Sequence, residues 1–331
     1  MGLRGERGMQ MFDLVGKRRY FFAISIVLIL AGVVGFLVNG VELDITFDGG
    51  TLINIEMADD NFDADSALPI VKETLNKEAT AQKLTTFTTT EGNKNASILQ
   101  LRFSKSQKLT NDEITKLETA LKEKMNVKEG AVALTQNVEP FMGKEMLNKG
   151  LLAISITAVL IVIYVTWRFS SISGLSAAVM ALLALLHDVF VMFAVYLIFK
   201  IPINESFFAA VLTILGYSVN DTIVIYDRMR ENTKIMKNKS DVFTLVNTSV
   251  IQTLTRTLNT AACVLICVAS IYVFAVAYNI QSLKDFSMPM LVGTISGSYS
   301  TIFIAGPLWA MWQNFKAKRK ATASLKTAKA K

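Results

Sequence analysis

The chain has 331 residues, 52% of them hydrophobic and 18% charged, a net charge of +7 and a mean hydropathy of +0.40. That apolar excess sets it among membrane proteins rather than soluble domains. A single histidine, His187, and two cysteines, Cys263 and Cys267, leave no basis for a disulfide framework, a zinc site or a Ser/His/Asp triad.

Six apolar stretches, roughly 20–39, 150–169, 174–199, 207–226, 258–278 and 289–312, can each cross a hydrocarbon core, which takes about 20 helical residues. The first follows a basic segment, 1–19, with Arg4, Arg7, Lys17, Arg18 and Arg19. Its long core and the lack of a small-x-small site after it make it an uncleaved anchor rather than a signal peptide.

The segment 40–149 is polar and holds eighteen of the 27 acidic residues. Its pattern predicts strands near 51–56, 81–90, 97–103 and 131–137, with helices near 63–76 and 110–125. Thr110 and Glu113 make a capping box for the second helix. This β-α-β-β-α-β order is that of a ferredoxin-like unit. With no metal cluster, nucleophile constellation or phosphate loop, it reads as a docking or binding domain.

The remaining five spans fall in 150–312. The loop after the fourth is basic, with Arg228, Arg230, Lys234, Lys237 and Lys239, and so is the tail, 313–331. The loops on the other side carry only Lys200 and Lys284. The positive-inside rule then puts both termini in the cytoplasm and segment 40–149 on the opposite, extracytoplasmic side. The Lys- and Ala-rich tail reads as disordered and close to anionic headgroups, not as a nucleic-acid site.

Only Asp188 and Asp221 are acidic residues well inside the spans. A charge there costs about 2.5–3.5 kcal/mol on insertion scales, so each needs a reason. On a helical wheel of the fourth span, Thr213, Gly216, Tyr217, Asn220, Asp221, Asp227 and Arg228 share an arc of about 140°, with Ser218 and Thr222 off it. Such a face points to other helices or to a hydrated cavity. It either holds helices together by hydrogen bonds or carries a proton or ion path through Asp221. Arg256, near the inner start of the fifth span, is either its counter-charge or a snorkelling arginine. Gly293 and Gly297, with Thr301, Ser296 and Ser300, give the sixth span a small face for close helix packing. Cys263 and Cys267 read as small packing residues.

The run GYSVNDTIVIYDRMREN (216–232) resembles the SecF family of the bacterial Sec protein-export machinery. So do His187-Asp188, Arg256 between two threonines, and Gly49-Gly50-Thr51. The chain departs from the family pattern at Thr46 and Asp48 before the glycines, and at Phe274-Ala275-Val276-Ala277 in place of a glycine pair. The resemblance implies a six-span polytopic α-helical membrane protein with one extracytoplasmic α+β ferredoxin-like domain, paired with SecD in a resistance-nodulation-division bundle. It implies a non-enzymatic subunit, without metal or cofactor, that uses the proton motive force to help unfolded preproteins through SecYEG. Asp221 would be the relay carboxylate, Arg256 its partner and Asp188 a second candidate. The alternatives are a half-sized proton-coupled exporter of lipids or drugs, a purely structural subunit, or an intramembrane aspartyl protease. The last lacks its Gly-x-Gly-Asp element before Asp221.

Overall fold

A computed structural model describes residues 13–59, 62–88, 94–104, 107, 109–128, 134–138, 140–236, 241–278 and 280–329. Arg4 and Arg7 of the basic first segment lie outside them. Among the described residues six helices or helix pairs are long and apolar enough to cross a membrane. They are α1 (Arg18–Asn39), α5 (Pro140–Arg168), α6 (Gly174–Phe199), α7 (Glu205–Met236), α8 (Val242–Ala277), and α9 (Gln281–Ser300) continued by α10 (Gly306–Lys329).

The polar unit between α1 and α5 has the helix α2 (Ile45–Asp48), strands β1 (Gly50–Glu56), β2 (Thr80–Thr88), β3 (Lys94–Ser104) and β4 (Leu134–Val138), and the helices α3 (Ala67–Leu75) and α4 (Asn111–Lys124). Its sheet runs β2-β3-β1-β4 with every pair antiparallel. Alternation puts Ile53, Ile55, Leu99, Leu101 and Phe103 on one face, where Ile70, Val71, Leu117 and Leu121 of the two helices cover them. The other face is polar. Gln100 donates to Asn54 (2.9 Å), and Arg102 donates to Gln100 (2.9 Å) and pairs with Asp44 (2.7 Å). The capping box forms, with the Glu113 carboxylate accepting from the Thr110 N–H at 2.8 Å.

The sheet unit sits on one end of the bundle. Leu43 bridges Ile203 of the α6–α7 turn, where the Asp44 N–H donates to the Ile203 carbonyl. Phe47 meets Phe208 edge to face at 5.6 Å, and Gly143 lets the Phe47 carbonyl approach so closely that a Cβ would lie 2.2 Å from it.

Three features differ from the sequence reading. The last span begins at Gln281, inside what the sequence presents as a loop, so Pro289 lies within α9. Proline cannot donate to the carbonyl four residues back; that carbonyl, of Asp285, accepts from Tyr196 Oη at 3.3 Å instead. A π-turn (Thr301–Ala305) separates α9 from α10. The tail is helical through Lys329 rather than disordered, because alanine and lysine are strong helix formers whatever their lack of an apolar face.

Candidate functional site

Helices α6, α7 and α9 form the buried centre of the bundle, and α1, α5 and α8 are peripheral. Close approach among the central helices rests on small residues. At Gly293 a Cβ would meet Ile214 Cγ1 at 2.6 Å and Met192 Sδ at 2.8 Å, and at Gly297 it would meet Ser218 Cβ at 3.2 Å.

Asp188 lies at this junction, with no exposed surface. Three serine hydroxyls donate to its carboxylate, Ser218 of α7 at 2.8 Å, and Ser296 and Ser300 of α9 at 2.7 and 2.8 Å. His187 Nδ1 lies 3.3 Å from Oδ1. The three hydroxyl donors fill much of the hydrogen-bonding capacity of this carboxylate and offset part of its desolvation. Ser218 and Thr222, off the polar arc, turn inward, and Thr222 Oγ1 lies 3.2 Å from Thr301 Oγ1 beside the π-turn. The serines were visible in the sequence as small residues, but a wheel of one helix carries no signal of a carboxylate on another.

Asp221, three residues after Ser218, is 3% exposed, and its Oδ2 has no hydrogen-bond partner. Arg256 on α8 is close enough to act on it electrostatically, yet no direct ion pair joins them among the described residues. Tyr217 is half-buried, with its Oη 3.5 Å from Ser298 Oγ. Asp227 pairs instead with Arg168 (3.1 Å) and Arg230 (2.9 Å).

Of the rest of the polar arc, Thr213, Gly216 and Asn220 are exposed and Arg228 is half-buried; Arg256 and Asn259 on α8 are exposed as well. Thr213 donates to its own helix, to the Ala209 carbonyl at 2.8 Å. Cys263 and Cys267 are exposed on the same side of α8, so among the described residues they do not serve as the packing residues the sequence suggests. At 100° per residue Arg256, Asn259, Cys263, Cys267 and Ser270 fall within about 80°, while Val250, Ala261 and Val268 face the bundle. Among the described residues no group of three or more His, Cys, Asp or Glu gathers to hold a metal.

Residues 116–315 match the family model described as "Protein export membrane protein SecD/SecF, C-terminal". The chain belongs to this family. It is 31% identical to protein translocase subunit SecF of Anaerolinea thermophila over 92% of this chain and 95% of that protein. It is 32% identical to protein translocase subunit SecDF of Bacillus subtilis, of which it spans 39%. The crystal structure of SecDF, a translocon-associated membrane protein from Thermus thermophilus, superposes on 92% of the chain with a TM-score of 0.74 and 26% identity; the chain spans 39% of it. SecF membership accounts for the six spans and assigns the chain to protein transport in a membrane.

Proposed function

We propose that this chain is the SecF half of a SecDF-type translocase subunit pair. It would use the proton motive force to help unfolded preproteins through a SecYEG channel, with Asp221 as the proton-relay carboxylate. The observation that carries this reading is a buried carboxylate with an unpartnered oxygen, beside a polar helix face that this chain leaves uncovered. Lipid cannot satisfy Asn220, Arg256 and Asn259, which supports a second membrane subunit that covers them. Gly216 supports the same reading: a Cβ there would meet nothing within 4 Å in this chain. A mid-helix glycine costs about 0.5–1 kcal/mol relative to alanine, and close approach of a partner helix supplies a reason for it. A six-span SecD is the partner that family membership favours.

In this reading Arg256 sets the charge on Asp221 without locking it in an ion pair, so a proton can load and leave. One proton crossing ~150 mV releases about 3.5 kcal/mol, enough to bias a helix rearrangement. Asp188, with three hydroxyl donors, holds α6, α7 and α9 together and is the second candidate for the proton. The β-sheet unit is read as an extracytoplasmic ferredoxin-like module that docks on the emerging chain or on SecD. Its element order and its β2-β3-β1-β4 sheet support that reading. Both termini are cytoplasmic in this topology, as the basic residues around α7–α8 and in α10 suggest.

The test is gradient-dependent export of a secreted reporter in cells whose only SecF is this chain. Asp221→Asn should assemble with SecD and lose the component of export that collapses with the proton gradient. Export by that variant that still responds to the gradient as the wild type does would overturn the relay.

A further inference from the structure

At the end of the bundle opposite the β-sheet unit, two adjoining cavities of about 200 and 540 Å³ share Ser173 and Gln313 in their walls. The smaller lies between the α5–α6 turn, the end of α7, the start of α8 and α10, lined by Ile172, Met236, Val242, Leu245 and Trp309 among others. The larger lies against Trp312, Phe315, Lys316 and Arg319 of α10.

The polar groups here favour an anion. Trp309 is 5% exposed, yet among the described residues its indole N–H, which can only donate, has no partner, and neither has the Gln313 Nε2. Ser173 is the N-cap of the 26-residue α6, and its side chain does not cap that helix. The positive end of the α6 dipole is therefore not offset by a side-chain cap. Lys316 lies over Trp312 at 5.6 Å while donating to Ser176 Oγ, and Arg319 lies over Phe315 at 5.4 Å. No carboxylate lines either cavity among the described residues. The smaller cavity adds an apolar wall beside this array of donors.

We infer that this cleft binds the phosphate headgroup of an anionic phospholipid, with the apolar wall of the smaller cavity taking the start of an acyl chain. The position suits such a ligand: α10 leaves the membrane here, and this end is cytoplasmic in the topology proposed above, where anionic lipid attracts basic side chains. The assignment does not depend on the proton relay. It differs from general attraction of a basic tail because two uncharged donors, Trp309 and Gln313, take part.

The test uses the full chain with Trp167→Phe, since Trp167 is 75% exposed on the lipid face and would respond to any lipid. Reconstituted in phosphatidylcholine, the protein is titrated with brominated phosphatidylglycerol or brominated phosphatidylcholine, and quenching of Trp309 and Trp312 is read. The anionic lipid should reach half-quenching at a mole fraction about five-fold lower or more, the factor that a single surface cation supplies. Lys316→Gln with Arg319→Gln should bring the ratio close to one. The uncharged change Gln313→Leu should lower it, and Lys326→Gln with Lys329→Gln should leave it unchanged. Each variant is checked for unaltered thermal unfolding first. Equal quenching by both lipids overturns the inference, as does a preference that follows only the distal lysines. Displacement by inorganic phosphate alone would make this a soluble-anion site and overturn the lipid assignment.

Discussion

Ser218 donates a 2.8 Å hydrogen bond to Asp188 from a position one helical turn before Asp221. The two intramembrane carboxylates are therefore neighbours through one helix, but their surroundings are opposite. Asp188 has three hydroxyl donors and no exposure; Asp221 has an oxygen with no partner and a polar surface beside it.

Ser218→Ala removes one of the three donors to a buried anion. Hydrogen bonds to charged groups contribute about 1.5–3 kcal/mol each, so thermal unfolding of the purified protein should fall by an amount in that range. Ser218→Thr keeps the hydroxyl and should recover much of it. Equal loss in both variants would mean that packing at Gly297, and not the hydrogen bond, sets the effect.

The same contrast predicts opposite stability effects for the two amides. Asp188→Asn sets amide hydrogens against hydroxyls oriented as donors and should destabilise by about 1–3 kcal/mol. Asp221→Asn removes a poorly satisfied buried charge and should be neutral or stabilising. Unfolding midpoints of the two variants under one condition compare them directly, and a clear loss in Asp221→Asn would show it to be structurally held.

Much of this was legible in the sequence, for identifiable reasons. Apolar run length marked six crossings, and the Thr110–Glu113 spacing marked a helix start that the hydrogen bonds reproduce. Helix ends were less legible because Pro289, read as a boundary, is tolerated inside α9 once Tyr196 takes the freed Asp285 carbonyl. The Asp188 site was the least legible, since its donors come from α7 and α9, thirty to 112 residues away. Wheel periodicity sees one helix at a time, so it grouped Asp221 with exposed Asn220 and left out inward Ser218.

The two glycines of α9 should respond unequally. A Cβ at Gly293 would press on Ile214 and Met192 at 2.6 and 2.8 Å, whereas at Gly297 the nearest atom is Ser218 Cβ at 3.2 Å. Gly293→Ala should cost about 1–3 kcal/mol by overpacking, and Gly297→Ala should cost less. Thermal unfolding tests the order, and a larger loss at Gly297 would reverse the packing account.

In the β-sheet unit, hydrogen bonds from Lys77 and from the Thr110 N–H hold the Glu113 carboxyl well below its ordinary 4.5, at about 2. A depressed folded-state value means the unfolded chain binds the proton more readily. This contribution is therefore complete above about pH 4.5 and is lost as pH falls toward about 2. Unfolding of the whole protein followed between those limits should show a steeper acid loss in the wild type than in Glu113→Gln. Identical slopes would remove Glu113 from the acid response.

Cys263 and Cys267 make the uncovered face of α8 directly measurable, because both are exposed on the side that carries Arg256. A membrane-permeant maleimide should modify both in the chain purified alone. Co-expressed SecD should protect them, slowing modification at least about ten-fold if a partner helix seats there. Gly216 lies on the matching face of α7 with open space above it, so Gly216→Leu should leave the chain folded. The bulkier side chain should hold the partner helix away and restore modification to the rate of the lone chain. Protection that persists in Gly216→Leu would show that the partner covers α8 without close approach at Gly216; modification unaffected by SecD would mean that this polar face is not the interface.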